Sequence, residues 1–168
     1  MSTVRMMTEA DVAAVSETRV TGWQAAYVGI VPQSYLDGMT IEADAHRRRK
    51  YVTAPDKVSL DLVAVDTRGT VVGWACLGPS RTAGGGGELY ALYVRPSLIG
   101  AGVGRTLLDA VHAHARERDF DSVLLWVLTD NARARRFYER AGYVADGAVQ
   151  SDDYDGVSIT EVRYRLAL

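Results

Sequence analysis

Residues 88–142 constrain this chain more than any other stretch, because five elements can be read from them in a fixed order. An apolar strand, Glu88–Val94, leads into a turn from Arg95 to Gly104 that contains Gly100-Ala101-Gly102-Val103-Gly104. A helix follows to about Arg118, with Val103, Leu107, Ala110, Val111, His114 and Ala115 recurring at helical spacing. Ser122–Thr129 forms a second strand, and a second helix begins near Asn131 and carries Phe137 and Tyr138.

The glycines sit where a loop becomes a helix. The first N–H groups of a helix have no partner within it and carry a partial positive charge, so they bind phosphates when the backbone can come close. Gly102 and Gly104 permit that approach because no Cβ intervenes, and Arg105 adds a cation in the first turn. A Walker loop is excluded, since no Gly-Lys-Ser/Thr follows. The dinucleotide fingerprint fails as well: Arg105 holds its third glycine position, and Pro96 interrupts the run from strand to glycines.

A third pattern fits. Leu92-Tyr93-Val94-Arg95-Pro96, then Gly100-Ala101-Gly102-Val103-Gly104-Arg105 and Leu107-Leu108, resembles the coenzyme-binding motif of the GNAT-superfamily N-acetyltransferases. Asn131-Ala132-Arg133-Ala134-Arg135-Arg136-Phe137-Tyr138-Glu139-Arg140-Ala141-Gly142-Tyr143 is similar to the same family's Asn-x-x-Ala-x-x-Phe-Tyr-x-x-x-Gly-Phe segment. The two halves stand in the family's order and separation and cover about a third of the chain. One position departs: Ile99 stands where the family commonly has Gln or Arg before the first glycine. Binding would then lean on backbone amides and Arg105.

The resemblance implies an α/β (α+β) fold, with a twisted, mixed, mostly antiparallel sheet flanked by helices. It also implies acetyl-CoA as co-substrate and direct attack by a primary amine, carried by a small molecule or a peptide. Leu92, Tyr93, Val94, the turn Gly100–Arg105, Asn131 and Ala134 would hold the coenzyme, and Tyr138 would be the general acid to the departing thiolate. Glu88, opening the strand, is the candidate base, because burial can raise a carboxyl towards use at neutral pH. Asn131 also suits a helix cap. The different-class alternative is a non-catalytic acyl-CoA sensor on the same fold.

Elsewhere the chain is less specific. Val4–Met7 is a short strand; Thr8 and Asp11 resemble a helix start, and Gly29 with Pro32 ends that helix. Trp23 and Tyr27 are candidates for an acceptor-pocket wall. Pro32–Met39 reads as a short helix, and Glu42–Tyr51, with His46-Arg47-Arg48-Arg49-Lys50, as an exposed one. Leu60–Asp66 and Val71–Leu77 form a hairpin across Arg68-Gly69. Cys76 reads as a small core residue, and the glycines 84–87 as a connection. Tyr143–Asp146 is a short strand, Gln150–Gly156 an acidic loop whose Asp152, Asp153 and Asp155 can attract a cation, and Ser158–Leu166 a half-buried strand. His114 lies roughly 18 Å along its helix from Gly102, too far to act at a thioester; His112 shares that helix, and neither is assigned a role.

At 168 residues, with 48% hydrophobic and 24% charged residues and a net charge of −2, the sequence suits one soluble domain. The charge balance gives no footprint for nucleic acid, and no apolar run approaches the ~20 residues a bilayer requires. One cysteine and no Cys/His cluster exclude an internal disulfide and a recognisable metal site. The expectations are a cytoplasmic protein without metal and, from base rates of assembly, a homodimer.

Overall fold

The computed structural model describes residues 1–82 and 84–168. Its strands are β1 (Thr3–Met6), β2 (Leu60–Val65), β3 (Val71–Pro79), β4 (Gly87–Val94), β5 (Ser122–Leu128), β6 (Val144–Tyr154) and β7 (Val157–Ala167). Its helices are α1 (Val12–Ala26), α2 (Gln33–Gly38), α3 (Ile41–Val52), α4 (Val103–Glu117) and α5 (Ala132–Arg140). The strands make one seven-stranded sheet in the order β1-β2-β3-β4-β5-β7-β6. Every neighbouring pair is antiparallel except β4–β5, as a mixed, mostly antiparallel sheet requires. No helix among the described residues is long and apolar enough to cross a membrane.

Helix α4 covers one face of the sheet. Its spacing puts Val103, Leu107, Leu108, Val111 and Ala115 on one side, and all are buried with Leu62, Ala75, Leu89, Val123 and Leu125. The contact is close enough to require a glycine beneath it. A Cβ on Gly73 would lie 2.8 Å from Leu107 Cδ1 and 3.1 Å from Val103 Cγ1, so the helix rests directly on the β3 backbone. Helices α1 and α3 occupy the opposite face, over Val63, Val71, Trp74 and Cys76.

Two expectations need correction here. Glu42–Tyr51 reads as a solvated basic helix, yet α3 buries Asp44, which accepts from Arg19 at 2.7 Å and from Arg48 at 2.9 Å. Arg48 also lies over the Trp74 ring, 4.2 Å from its centroid. The polar composition conceals an inward-facing ion cluster. Gln150–Gly156 reads as a loop, yet β6 continues to Tyr154 because β7 offers a complete ladder of partners, Gln150↔Glu161 to Tyr154↔Val157. The break comes earlier, at a bulge between Ala145 and Val149, where Gly147 takes φ +88°.

His112, buried on α4, meets the Tyr143 hydroxyl at 2.8 Å, tying α4 to the end of α5. Burial, and then the nearby Arg116, hold this imidazole below its ordinary pKa of 6.5. A histidine kept neutral in the fold takes a proton more readily once unfolded. Its contribution to stability is therefore intact above 6.5 and is lost as pH falls from there towards the lowered value. Melting followed by circular dichroism is expected to show Tm falling as pH drops below 6.5, with His112→Gln flattening that fall.

Candidate active site

The site is made by a parting in the sheet. Strands β4 and β5 pair over only three positions, Gly87↔Val123, Glu88↔Leu124 and Leu89↔Leu125, and diverge beyond them. A cleft of about 1590 Å³ passes through the parting, from the glycine turn and α5 on one face to Trp23, Trp74 and Tyr90 on the other. A single small-molecule site usually occupies about 300–1,000 Å³, so this volume can admit two reactants from opposite sides.

Strand β4 is read differently by its two edges. Arg95 N–H donates to Val72 C=O at 2.9 Å, which fixes the phase of the β3–β4 ladder. Antiparallel alternation then turns the N–H and C=O of Leu92 and Val94 away from β3, into the parting where β5 no longer reaches them. These groups belong to an interior strand yet lack a strand partner.

The two faces of β4 are set by a bulge. Cys76 pairs with Ala91 but Leu77 pairs with Leu89, so Tyr90 is an extra residue. Leu89, Leu92 and Val94 consequently join the α4 core, whereas Tyr90, Ala91 and Tyr93 share the opposite face. This corrects the expectation for Tyr93. Its ring leaves the coenzyme-motif face, stacks near Trp74 with centroids 6.1 Å apart, and joins the wall formed by Trp23 and Tyr27.

At the glycine turn, Gly100 and Gly102 take φ +87° and +89°, and a Cβ at either would meet nothing within 4 Å. Gly102 is the N-cap of α4, with no side chain capping it, and the Thr106 N–H closes the first turn on its carbonyl. The N–H groups of Val103, Gly104 and Arg105 are left without helical partners. Gly104 serves a second purpose, since a Cβ there would lie 3.3 Å from Phe137 Cζ, so its absence lets α5 seat on α4. The Val103 side chain is buried, and only its main chain can face a ligand; Ala101 and Ile99 are exposed. Arg105 lines the cleft, but its Nε is engaged by Asp109 one turn on, at 3.0 Å.

Three cations stand on the cleft that the sequence reading left without a role: Arg133, Arg136 and Arg140, all exposed on α5. Their spacing of three and four residues is the available signal, since it makes one stripe on a helix. Asn131 caps α5, its Oδ1 accepting from Ala134 N–H at 3.2 Å, and both residues line the cleft. An anion-binding turn, an open strand edge and a cationic stripe together suit a polyphosphate carried on a thin amide-bearing arm.

Tyr138 is buried, packing against Phe137 at 5.2 Å and Tyr143 at 5.7 Å between centroids, and it lines the cleft. Among the described residues no hydrogen-bond partner meets its hydroxyl, while burial, and then Tyr93, push that phenol up. Burial likewise holds Tyr27 well above the ordinary phenol value, followed by Tyr93, Tyr138 and Tyr154; Tyr154 rises to about 12, through burial and then Glu161. The phenols of Tyr27, Tyr138 and Tyr154 thus stay protonated throughout the neutral range. Trp23 sits edge-on to Tyr27 at 4.8 Å and 6.0 Å from Tyr154, and its indole N–H finds no partner among the described residues.

Glu88 is 1% exposed. Its Oε1 accepts from the Arg81 main-chain N–H at 3.0 Å, and its Oε2 accepts from Arg81 Nε and Nη2 at 3.2 and 2.5 Å. Glu88, near the start of β4, lines the cleft and has Arg81 as its partner. Cys76 lines the same region, with burial pushing its thiol up to about 12, so no thiolate is available there. Asp152, Asp153 and Asp155 do not line the cleft. Asp155 accepts from Ser34 at 2.8 Å, Asp153 caps Gly156 N–H, and Gln150 and Glu161 form the polar wall instead.

This arrangement matches known proteins in sequence and shape. The profile of the Acetyltransferase (GNAT) family matches residues 23–143. The uncharacterised N-acetyltransferase YuaI of Bacillus subtilis is 30% identical over 135 residues, spanning 78% of this chain and 74% of YuaI. A mycothiol acetyltransferase of Propionibacterium freudenreichii subsp. shermanii is 43% identical over 83 residues, 49% of this chain and 27% of that larger protein. Among solved structures, the PaiA N-acetyltransferase of Thermoplasma acidophilum, in complex with coenzyme A, superposes with a TM-score of 0.78 at 19% identity, covering 100% of this chain and 99% of PaiA. The glycine turn, the parted strands and the α5 segment all fall within the matched profile, and the chain is a member of the GNAT family of acetyltransferases.

Proposed function

We propose that this acetyltransferase moves an acetyl group from acetyl-CoA to a primary amine by direct attack within the β4–β5 parting. The observation that carries this is the unpaired edge of β4, with open main-chain groups at Leu92 and Val94. It lies between the glycine turn on one side and the Glu88 carboxylate on the other. The PaiA complex with coenzyme A supports the choice of acyl donor.

The roles follow from position. The amides opening α4 and the arginines of α5 hold the phosphates, and the Leu92 and Val94 edge and Asn131 hold the arm. The amine enters from the face bearing Trp23, Tyr27 and Glu88. An alkyl ammonium with a pKa near ~10.4 is almost wholly protonated at neutral pH, so it must lose a proton before it can attack. Glu88 takes that proton, directly or through a water. As the C–N bond forms, the Leu92 N–H meets the charge developing on the thioester oxygen. As the C–S bond breaks, Tyr138 donates to the sulfur and its proton follows. The nitrogen, which must lose a further proton to become an amide, restores it. The net products are the N-acetyl amine, the free thiol and one proton released through Glu88.

Calorimetric titration with acetyl-CoA, followed by detection of free thiol on adding a panel of primary amines, tests the assignment. Binding without thiol release for any amine would leave a sensor in place of an enzyme. Replacing Arg133, Arg136 and Arg140 together by Gln is expected to raise the acetyl-CoA KM by about tenfold or more at low salt, with the gap closing as ionic strength rises.

A further inference from the structure

The cleft holds three buried carboxylates on the acceptor side, and they are not equivalent. Asp44 is fixed between Arg19 and Arg48, whose side chains are 23% and 11% exposed. Asp61 is fixed by Lys57 at 3.0 Å and by the Trp74 indole N–H at 2.9 Å. In both cases the nearest cations are largely enclosed, the exposed Arg47 coming only to 3.9 Å from Asp44, so the pair is part of the scaffold. Glu88 differs: its side chain is 2% exposed, but its one counterion among the described residues, Arg81, is 65% exposed and reaches in from the rim.

What Arg81 rests on is equally specific. Its guanidinium lies over the Tyr90 ring, 4.3 Å from the centroid. That ring is held in place from below and at its tip. It covers Gly78, where a Cβ would come within 2.5 Å of Tyr90 Cε2, and its hydroxyl donates to Pro79 C=O. Ordinary strand alternation, with Leu89 turned to the α4 core between them, places this ring and Glu88 on the same face of the sheet. A buried carboxylate beside the face of a fixed aromatic ring is an arrangement that receives an organic cation. Here the cation is the chain's own.

We propose that Arg81 is a displaceable internal occupant of the acceptor's cation site. The acceptor enters as an alkylammonium on a slender aliphatic stem, sets its head against Glu88 and its stem across Tyr90, and moves Arg81 out to solvent. This rests on the role given to Glu88 above and narrows the acceptor class to amines that arrive charged and unhindered next to the nitrogen. Arg81 thereby sets acceptor affinity by competition, and it keeps a buried carboxylate partnered between turnovers.

The test is a titration of the full chain with propylammonium chloride at constant ionic strength, followed by NMR of the arginine Nε–H groups. An occupant in place about 90% of the time weakens an external cation about tenfold, so Arg81→Ala should bind propylammonium about tenfold more tightly than the native chain. In the native chain the Arg81 Nε–H resonance should move to the position of a free arginine as the titration saturates. Arg81→Ala combined with Glu88→Gln should abolish the tight binding, and Arg81→Gln should behave as Arg81→Ala, which separates competition from damage to the fold. Equal binding by the native chain and Arg81→Ala, or an Arg81 resonance that stays in place at saturation, overturns the proposal. The titration uses no acetyl-CoA, so its outcome is separate from that of the acetyl-transfer assignment. Binding as stated with no amine acetylated would remove Glu88's role in transfer and leave the cation site. Amines acetylated with acceptor KM not lowered in Arg81→Ala would do the reverse.

Discussion

Tyr138→Phe is expected to lower kcat by about a hundredfold while leaving acetyl-CoA affinity nearly unchanged, because a positioned proton donor contributes roughly 10²–10⁴ in rate. A hundredfold loss corresponds to about 2.7 kcal/mol of transition-state stabilisation. The substitution removes one oxygen and keeps the ring, which packs against Phe137 and Tyr143. No hydrogen bond to the described residues is lost with that oxygen, so the fold has little to lose. Steady-state kinetics with thiol detection, beside calorimetry of acetyl-CoA, separates a loss confined to turnover from one in binding. A variant that turns over normally would leave the thiolate departing without help from this side chain.

Glu88→Gln should produce a second large loss, about a hundredfold in turnover at neutral pH, with a signature of its own. The variant cannot take a proton from the ammonium, so it depends on the neutral amine already present in solution. That fraction rises about tenfold per pH unit up to the amine's pKa near ~10.4, and the variant's rate should climb with it. The native enzyme should not show that dependence. Glutamine keeps the size of the side chain, and the stranded Arg81 is 65% exposed, so water can receive it without unfolding the chain. A pH–rate profile of variant and native enzyme with one amine is sufficient. A variant that matches the native rate at neutral pH would exclude Glu88 as base.

Much of the proposed coenzyme side can be read from residues 88–142 alone, because its chemistry is carried by main chain and local pattern. Gly100 and Gly102 announce positive φ, Asn131 announces a cap, and Phe137 and Tyr138 follow at the right spacing. The proposed acceptor side is written in long-range pairing. The face taken by Tyr93 depends on one extra residue at Tyr90, and that bulge exists only because β3 pairs in two registers around Cys76 and Leu77. The partner of Glu88 comes from Arg81, seven residues earlier across a turn, and no local periodicity links the two. Asp44 stands in a helix whose composition reads as solvated, and only the approach of α1 brings Arg19 to it. Gln150–Tyr154 has the composition of a loop and becomes a strand because β7 supplies its partners. Polar sequence on such an edge also discourages pairing with another chain.

The three-position pairing of β4 with β5 also bears on how the fold is held together. Strands β1 to β4 form one antiparallel series, and β5, β7 and β6 form another from the later part of the sequence. The seam closes no longer a loop than the halves do, since Gly87 meets Val123 across it while Thr3 meets Val65 between β1 and β2 and Ser122 meets Ala167 between β5 and β7; what sets it apart is the shortness of its ladder. The proposed site of transfer is thus the joint held by the fewest paired strand positions. A ligand that binds the closed seam and not the unfolded chain stabilises the protein by about 2.7 kcal/mol at a hundredfold excess over its Kd. The acyl donor would then be both reactant and fastener, and cellular persistence of the enzyme would follow the supply of its own substrate.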